Sequence, residues 1–328
     1  MKAMVFEAPR KPLELREISI TETKDDDVLI QVKACGLCRT DLHIYEGELP
    51  NLPKQLILGH QIVGIIKACG PLVKNFHIGQ RVGVPWLGQS CGSCFYCQRN
   101  EENLCEKAQY TGYHLNGGFA EYCIANSNFC FPIPDEFSDI QAAPLLCGGL
   151  IGYRAFRKIA YAQKIGFYGF GSSAHILAQI VIYQKKKFYA FTRDQDCDAQ
   201  KLAYDLGATW TGSSTKILDS LLDAAIIFAP DGNLIPYALK NTRKGGTVVC
   251  AGIHMTDIPS FPYSLLWGER QICSIANLTR KDGEEFFKIA PLIPIKTKVT
   301  IYPLNQVNEA LEDLRQGKFS GSAVIKVS

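Results

Sequence analysis

No stretch of apolar residues in this chain is long enough to cross a bilayer, so a membrane-spanning helix is excluded by length alone. An excess of one charge is also missing. Lys and Arg number 35 against 32 Asp and Glu, a formal charge of +3. So small and dispersed a charge lacks the electrostatic footprint of a nucleic-acid-binding surface. The opening segment MKAMVFEAPRKPLELREI alternates apolar and polar residues as a strand does and has no apolar signal-peptide core. A cytoplasmic location is therefore the expectation. There is no internal repeat and no low-complexity tract, which removes solenoids and disordered linkers. What remains is ordinary globular composition, 47% hydrophobic and 20% charged. At 328 residues the chain makes two domains, taking about 150 residues for each.

Cysteine, by contrast, is abundant, with thirteen in the chain. Four of them, Cys91, Cys94, Cys97 and Cys105, fall in CGSCFYCQRNEENLC with the spacing C-x2-C-x2-C-x7-C. One short loop with that spacing can wrap its thiolates around a single tetrahedral metal, and four thiolates leave no open position. That is the description of a structural zinc site. Two disulfides are the alternative pairing, and nothing in the sequence points to the oxidising compartment they need. Cys69, Cys123, Cys130, Cys197, Cys250 and Cys273 are more simply small buried hydrophobes.

The texture of the chain changes near residue 150. Before it come short β-like runs divided by Gly and Pro, VLIQVKACG, LILGHQIVGIIKACG, RVGVPW and GFAEYCIA, which suit a barrel-like β domain. A helical stretch is expected around Ala142–Ile159. After it, strands and helices alternate: KIGFYGFG, SSAHILAQIVIYQ, KFYAFT, AQKLAYDLGA, LDAAIIFAP, then ALKNTRKGGTVVCAGI. Such alternation marks an α/β, doubly wound parallel sheet. QICSIAN reads as an apolar edge strand that invites a second copy. EEFFKIAPLI and VNEALEDLRQG read as amphipathic helices, followed by a last strand, SAVIKV.

Gly169-Phe170-Gly171-Ser172-Ser173-Ala174 is G-x-G-x-x-A between a strand and a helix. Gly169 permits the turn, Gly171 lets the backbone approach a pyrophosphate at the helix N-terminus, and Ala174 lets helix and strand pack closely. A bare glycine turn is the lesser reading, and the strand–turn–helix context favours a dinucleotide site. About 20 residues further on, NAD-binding folds place an acidic residue on the ribose. Here stand Thr192 and Arg193. The missing carboxylate and the guanidinium favour a ribose 2′-phosphate, hence NADP over NAD, unless Asp194 neutralises the arginine.

Further residues assemble into a second constellation. Cys35-Gly36-Leu37-Cys38-Arg39-Thr40-Asp41-Leu42-His43 is followed by Gly59-His60-Gln61 and by Cys147-Gly148-Gly149. Taken with the four-cysteine lobe and the glycine turn, in this order, these motifs resemble the zinc-dependent medium-chain alcohol dehydrogenases along essentially the whole chain.

The resemblance implies a GroES-like β-rich catalytic domain over 1–150 and 279–328, and a Rossmann nucleotide domain over 151–278, with the active site in the cleft. It makes Cys38, His60 and Cys147 the ligands of a catalytic zinc and Cys35 a structural thiol. The zinc would make a bound alcohol more acidic, and NAD(P) would take its hydride. Thr40 would bond the reacting oxygen and His43 would end a proton relay near the surface. His43 could instead be an exposed loop histidine. Asp41 would orient His60, Arg39 would reach the pyrophosphate, and Trp86 would wall the substrate pocket. The bland readings of these three are a turn cap, a surface charge and a core tryptophan.

The chain also departs from the family pattern at three positions: Gln61 where Glu is common, Ile151 where Thr is, and Ser322 where Arg is. Two zinc ions, a small alcohol, aldehyde or ketone, and a homodimer or homotetramer are thus expected. Neither nucleic acid nor membrane is expected as a partner. An aldehyde reductase and a polyol dehydrogenase share this machinery, and a non-catalytic nucleotide-binding relative is the rival of a different class.

Overall fold

The computed structural model describes residues 1–328. It divides into two compact units: Met1–Cys147 with Leu278–Leu292 and Lys296–Ser328, and Gly148–Asn277 with Ile293–Ile295. No helix is long and apolar enough to cross a membrane.

The first unit is built on a seven-stranded sheet. Its long strand Asp27–Leu37 pairs antiparallel with Gln61–Cys69, with Tyr122–Asn126 and with the last strand, Ser322–Lys326. Alternation of buried and half-buried residues along Asp27–Leu37 gives way to a fully buried end, Ala34–Leu37. That end carries the chain straight into Cys38, deep in the unit. Ser322–Lys326 also pairs in parallel with Val299–Pro303, so the C-terminal strand sits inside the sheet and not on its edge. Lys2–Phe6 pairs with Glu14–Glu17 and Leu56–Ile57 in a small second sheet. Side chains from both sheets, such as Phe6 and Ile30, share one apolar cluster with Leu42, Ile44 and Phe119.

Two registers matter for the site. Gly36 lies opposite Gln61, and Cys35 opposite Ile62. A Cβ at Gly36 would come within 2.5 Å of Gln61 Oε1, so only glycine leaves room for that side chain. The segment after Cys38 forms the helix Arg39–Glu46, an element not expected from the sequence.

The second unit is a six-stranded parallel sheet. Its strand order is Trp210–Ser213, Lys187–Thr192, Lys164–Tyr168, Leu222–Ile227, Thr242–Cys250, Gln271–Ser274. Strands sheathed by helices on both faces carry continuous apolar runs rather than alternation, as IGFY in Lys164–Tyr168 and AAII in Leu222–Ile227 do. Tyr168 stacks on Phe191 with ring centroids 4.2 Å apart at the heart of that core. The chain order reverses between Lys164–Tyr168 and Leu222–Ile227, the switch point where ligands of doubly wound sheets bind.

Two expectations need correction. Helix over Ala142–Ile159 breaks into Asp139–Ala142, a 3-10 turn Ala143–Leu146 around Pro144, and Gly148–Lys158. The break leaves Cys147 at φ −128°, outside any helix. Cys197 is exposed in the first turn of the helix Cys197–Asp205, not buried. Cys69, Cys250 and Cys273 are only half-buried.

Candidate functional site

Cys38 ends the buried strand and starts the helix Arg39–Glu46. As N-cap its sulfur accepts the Thr40 N–H at 3.4 Å, and Asp41 returns the favour by accepting the Cys38 N–H at 2.9 Å. This is a capping box with a thiol in the place usually held by serine or threonine. Asp41 is fully buried, and its other oxygen accepts the Gly59 N–H at 3.1 Å and lies 3.2 Å from His60 Nδ1. One carboxylate thus ties the Cys38 backbone to the Gly59–His60 turn.

That turn has its own requirement. Gly59 sits at φ +93°, and a Cβ there would meet Cys35 Sγ at 2.8 Å and the Phe119 ring. The ring of His60 then reaches Cys38, with Nε2 to Sγ at 3.3 Å, and Cys38 Sγ lies 3.9 Å from Cys147 Sγ. The three ligand atoms all lie within 4.8 Å of one another.

The electrostatics suit a cation. Hydrogen bonding from the Cys147 thiol holds the Cys38 thiol well below its ordinary value despite burial, helped by the nearby His60. The same bond, and burial, push Cys147 well above it. Burial opposes a charged His60, but Asp41 and Cys38 overcome it and raise the imidazole well above its usual value. Three convergent donors, with a buried carboxylate behind the imidazole, suit a divalent cation. Two cysteine sulfurs and one imidazole match the ligand set of a catalytic zinc centre, with Asp41 as the carboxylate that orients the histidine. Cys35, by contrast, is a buried thiol pushed up by desolvation and bonds Gly36 O.

Cys91, Cys94, Cys97 and Cys105 converge in the same way, their sulfurs all within 4.8 Å of one another. All thirteen cysteines are free thiols, so the disulfide alternative is not what the chain adopts. The Ser93 and Cys94 N–H groups and Cys105 lower Cys91 to about 6. Burial raises Cys105 to about 11.

The remaining expected residues are placed as follows. Thr40 is half-buried one residue into the helix, and Arg39 is exposed at its first position. His43 lies in the last turn of that helix, 7% exposed, and its Nδ1 bonds the carboxylate of Glu48. It is neither a loop histidine nor an exposed one. Glu48 is exposed and reaches His43 because Gly47, at φ +78°, turns the chain back and the Glu48 N–H bonds His43 O at 2.9 Å.

Trp86 stands beside His60, ring centroids 6.3 Å apart, stacked on Tyr110 at 4.2 Å and near-parallel to Tyr113. The sequence reading missed Tyr110, Tyr113 and Glu48. The aromatic spacing in QYTGYH after the four-cysteine lobe was the available signal for the two tyrosines. Gln61 is 2% exposed with its Nε2 unpartnered.

In the second unit, Gly169 turns at φ +90° against Ala229, where a Cβ would lie 2.9 Å from the Ala229 N. A Cβ at Gly171 would meet nothing within 4 Å, the open cradle that a pyrophosphate would fill. Gly171 is the N-cap of Ser172–Tyr183 and offers no capping side chain, while Ser172 and Ser173 open the first turn and Ala174 is buried. Thr192 is 3% exposed and its hydroxyl is bonded to Arg193 O and Gln200 Nε2, each at 3.0 Å. Arg193 is 87% exposed, and its nearest acid is Asp196 at 3.6 Å rather than Asp194.

Comparison with known proteins agrees with this layout. Residues 24–135 match the alcohol dehydrogenase GroES-like domain. A probable alcohol dehydrogenase AdhA of Mycobacterium tuberculosis (strain CDC 1551 / Oshkosh) is 41% identical, covering 96% of this chain and 93% of the relative. An alcohol dehydrogenase of Geobacillus stearothermophilus is 35% identical with both chains fully covered. In fold, the chain is similar to a cinnamyl alcohol dehydrogenase of Sorghum bicolor (TM-score 0.91, 23% identity, 99% and 97% of the two chains covered). With a relative this similar over nearly its whole length, and a fold that agrees throughout, the chain belongs to the medium-chain, zinc-dependent alcohol dehydrogenase family.

Proposed function

We propose that this protein interconverts small apolar alcohols and their aldehydes or ketones, with NADP preferred over NAD as the hydride carrier. The reading rests above all on Cys38, His60 and Cys147 converging around Asp41. Zinc held there would supply Lewis acidity toward the alcohol oxygen. A nicotinamide ring would take up the hydride.

The chain's own residues do the rest. Asp41 keeps the proton of His60 on Nδ1, leaving Nε2 free as a ligand. The Thr40 hydroxyl, two residues beyond Cys38, is the group proposed to bond the reacting oxygen. His43 collects the released proton, and its bond to Glu48 leads that proton to an exposed carboxylate. The Trp86–Tyr110 stack beside His60 excludes water and favours apolar or aromatic substrates over sugars.

Cys91, Cys94, Cys97 and Cys105 hold a second, structural zinc. Gly169, Gly171, Ser172 and Ser173 would hold the pyrophosphate. Arg193, 87% exposed and within 3.6 Å of Asp196, turns its guanidinium to the 2′-phosphate, while Thr192 holds the strand end through Gln200. The half-exposed strand Gln271–Ser274 pairs with a second copy in a dimer or tetramer. Cysteines kept reduced for metal binding suit a reducing, cytoplasmic setting.

Steady-state rates with ethanol, benzyl alcohol and sorbitol, each with NAD and NADP, test the reading. Benzyl alcohol with NADP is expected to be used best. Sorbitol turnover above both alcohols would shift the assignment to a polyol dehydrogenase. An efficiency with NAD about tenfold above that with NADP would overturn the cofactor preference. No turnover of any alcohol by a zinc-loaded, cofactor-binding protein would leave a nucleotide-binding relative without catalysis.

A further inference from the structure

The helix Arg280–Ile289 begins just after the chain passes from the second unit back into the first, between Asn277 and Leu278. Its N-terminus is capped twice. Thr279 and Asp282 form a reciprocal capping box, Asp282 Oδ2 accepting the Thr279 N–H at 2.8 Å and Thr279 Oγ1 accepting the Asp282 N–H at 3.2 Å. The second cap arrives from far upstream: Oε1 of Glu102 accepts the Arg280 N–H at 2.7 Å and the Arg280 Nε–H at 3.2 Å. A carboxylate at a helix N-terminus also meets the positive end of the helix dipole.

Glu102 belongs to the four-cysteine lobe, on the short 3-10 turn Glu102–Leu104 between Cys97 and Cys105. It is 2% exposed, and its second oxygen is buried without a partner. A buried carboxylate held through one oxygen depends on that oxygen staying engaged, because losing its partner leaves an uncompensated buried charge. The Arg280 guanidinium is held from another side by the Phe129 ring, 5.5 Å away. Gly283, one turn on, lies against the Phe131 ring with no room for a Cβ. The lobe loop and the start of this helix therefore cannot shift independently.

We propose that the four-cysteine lobe and the helix Arg280–Ile289 form a coupled pair joined by Glu102. Metal in the lobe fixes the Glu102–Leu104 turn, and Glu102 fixes the backbone at Thr279–Arg280. Losing the lobe metal loosens the chain where it re-enters the first unit. Coupling between two equilibria is reciprocal, so breaking the Glu102–Arg280 contact also weakens the lobe's hold on its metal. The proposal goes beyond the reaction and rests on the four cysteines holding a metal.

Hydrogen exchange of the full-length protein tests it, reading residues 278–290 with the helix Val307–Gln316 as internal reference. Metal content per chain is counted first. Exchange at 280–283 is expected to rise about tenfold when the lobe metal is removed, and again in Glu102→Ala with metal bound, the equivalent of one charge-assisted hydrogen bond. Residues 307–316 stay unchanged. Glu102→Gln keeps an oxygen for the Arg280 N–H and shows the smaller rise, which separates the contact from simple misfolding. Glu102→Ala also speeds transfer of the lobe metal to a chromophoric chelator.

Unchanged exchange at 278–290 after lobe-metal removal overturns the proposal. So does a rise in Glu102→Ala that is equal in both helices. A lobe that carries no metal overturns it as well, but leaves the Cys38–His60–Cys147 reading untouched.

Discussion

Asp41→Asn is the substitution that isolates how the catalytic centre is held. The carboxylate makes three bonds from a fully buried position, to the Cys38 N–H, the Gly59 N–H and His60 Nδ1. Asparagine matches its volume but has one acceptor oxygen. Turned toward Cys38, that oxygen preserves the helix cap and sets the amide NH2 against the Gly59 and His60 donors. Turned the other way, it keeps His60 and loses the cap. Either orientation gives up at least one bond to a charged acceptor, worth about 1.5–3 kcal/mol. That range corresponds to a factor of about 10 to 100 in metal affinity, the usual cost of losing the group that orients a metal-bound histidine.

The assay is competition for zinc by a chromophoric chelator, followed as two kinetic phases. The catalytic phase is expected to accelerate on this scale. The four-cysteine phase, whose ligands have no contact with Asp41 among the bonds described, stays unchanged and serves as the internal control. Equal acceleration of both phases, or of neither, refutes the argument that Asp41 acts through His60.

Gly117→Ala places a Cβ against the Gly59 carbonyl and 2.6 Å from Leu58 O. It should displace the His60 turn, costing about 1–3 kcal/mol and the catalytic metal, as measured by denaturant unfolding and metal content. In metal-stripped protein, iodoacetamide near neutral pH should label Cys91 first and Cys105 last of the four. Cys91 is the thiolate down to about 6, whereas Cys105 stays protonated up to about 11. Labelling of Cys91 then declines as pH falls through about 6, and mass spectrometry of the four peptides reads the order. Replacing His43 or Glu48 by Gln should each slow alcohol oxidation and alter its pH–rate profile, with the double variant no worse than the slower single one. Profiles identical to the parent would remove both residues from the proton path.

The four-cysteine group could be read from its own close spacing, whereas Cys38, His60 and Cys147, scattered along the chain, were assigned through the family resemblance. The parallel sheet was readable because strands buried on both faces, such as Lys164–Tyr168, carry continuous apolar runs. Residues whose role depends on folded geometry were hidden. Glu48 is an ordinary surface acid until Gly47 turns it back onto His43. Glu102 meets Arg280 across a separation of 178 positions, which no local pattern encodes. The strand Trp210–Ser213, with Gly and Ser among four half-buried residues, carries too little apolar signal to stand out. The thiol N-cap at Cys38 concealed the helix Arg39–Glu46, since cysteine is not a usual capping residue.

The position of the last strand inside the first unit's sheet sets the order in which the protein can be assembled on the ribosome. Residues 323–326 pair with Ala34–Leu37, the end of the strand that delivers Cys38. Until those residues emerge, the earlier segment waits with an open, apolar strand edge beside Cys38. The stretch Gly148–Asn277 is nearly all of the second unit in one continuous piece, and it can close while synthesis continues. A nascent chain halted before Ser322 should therefore resist protease across 148–277 and be cut within 1–147. On this ordering the surroundings of Cys38 close late, and the interval before that is when the young chain most needs protection from aggregation.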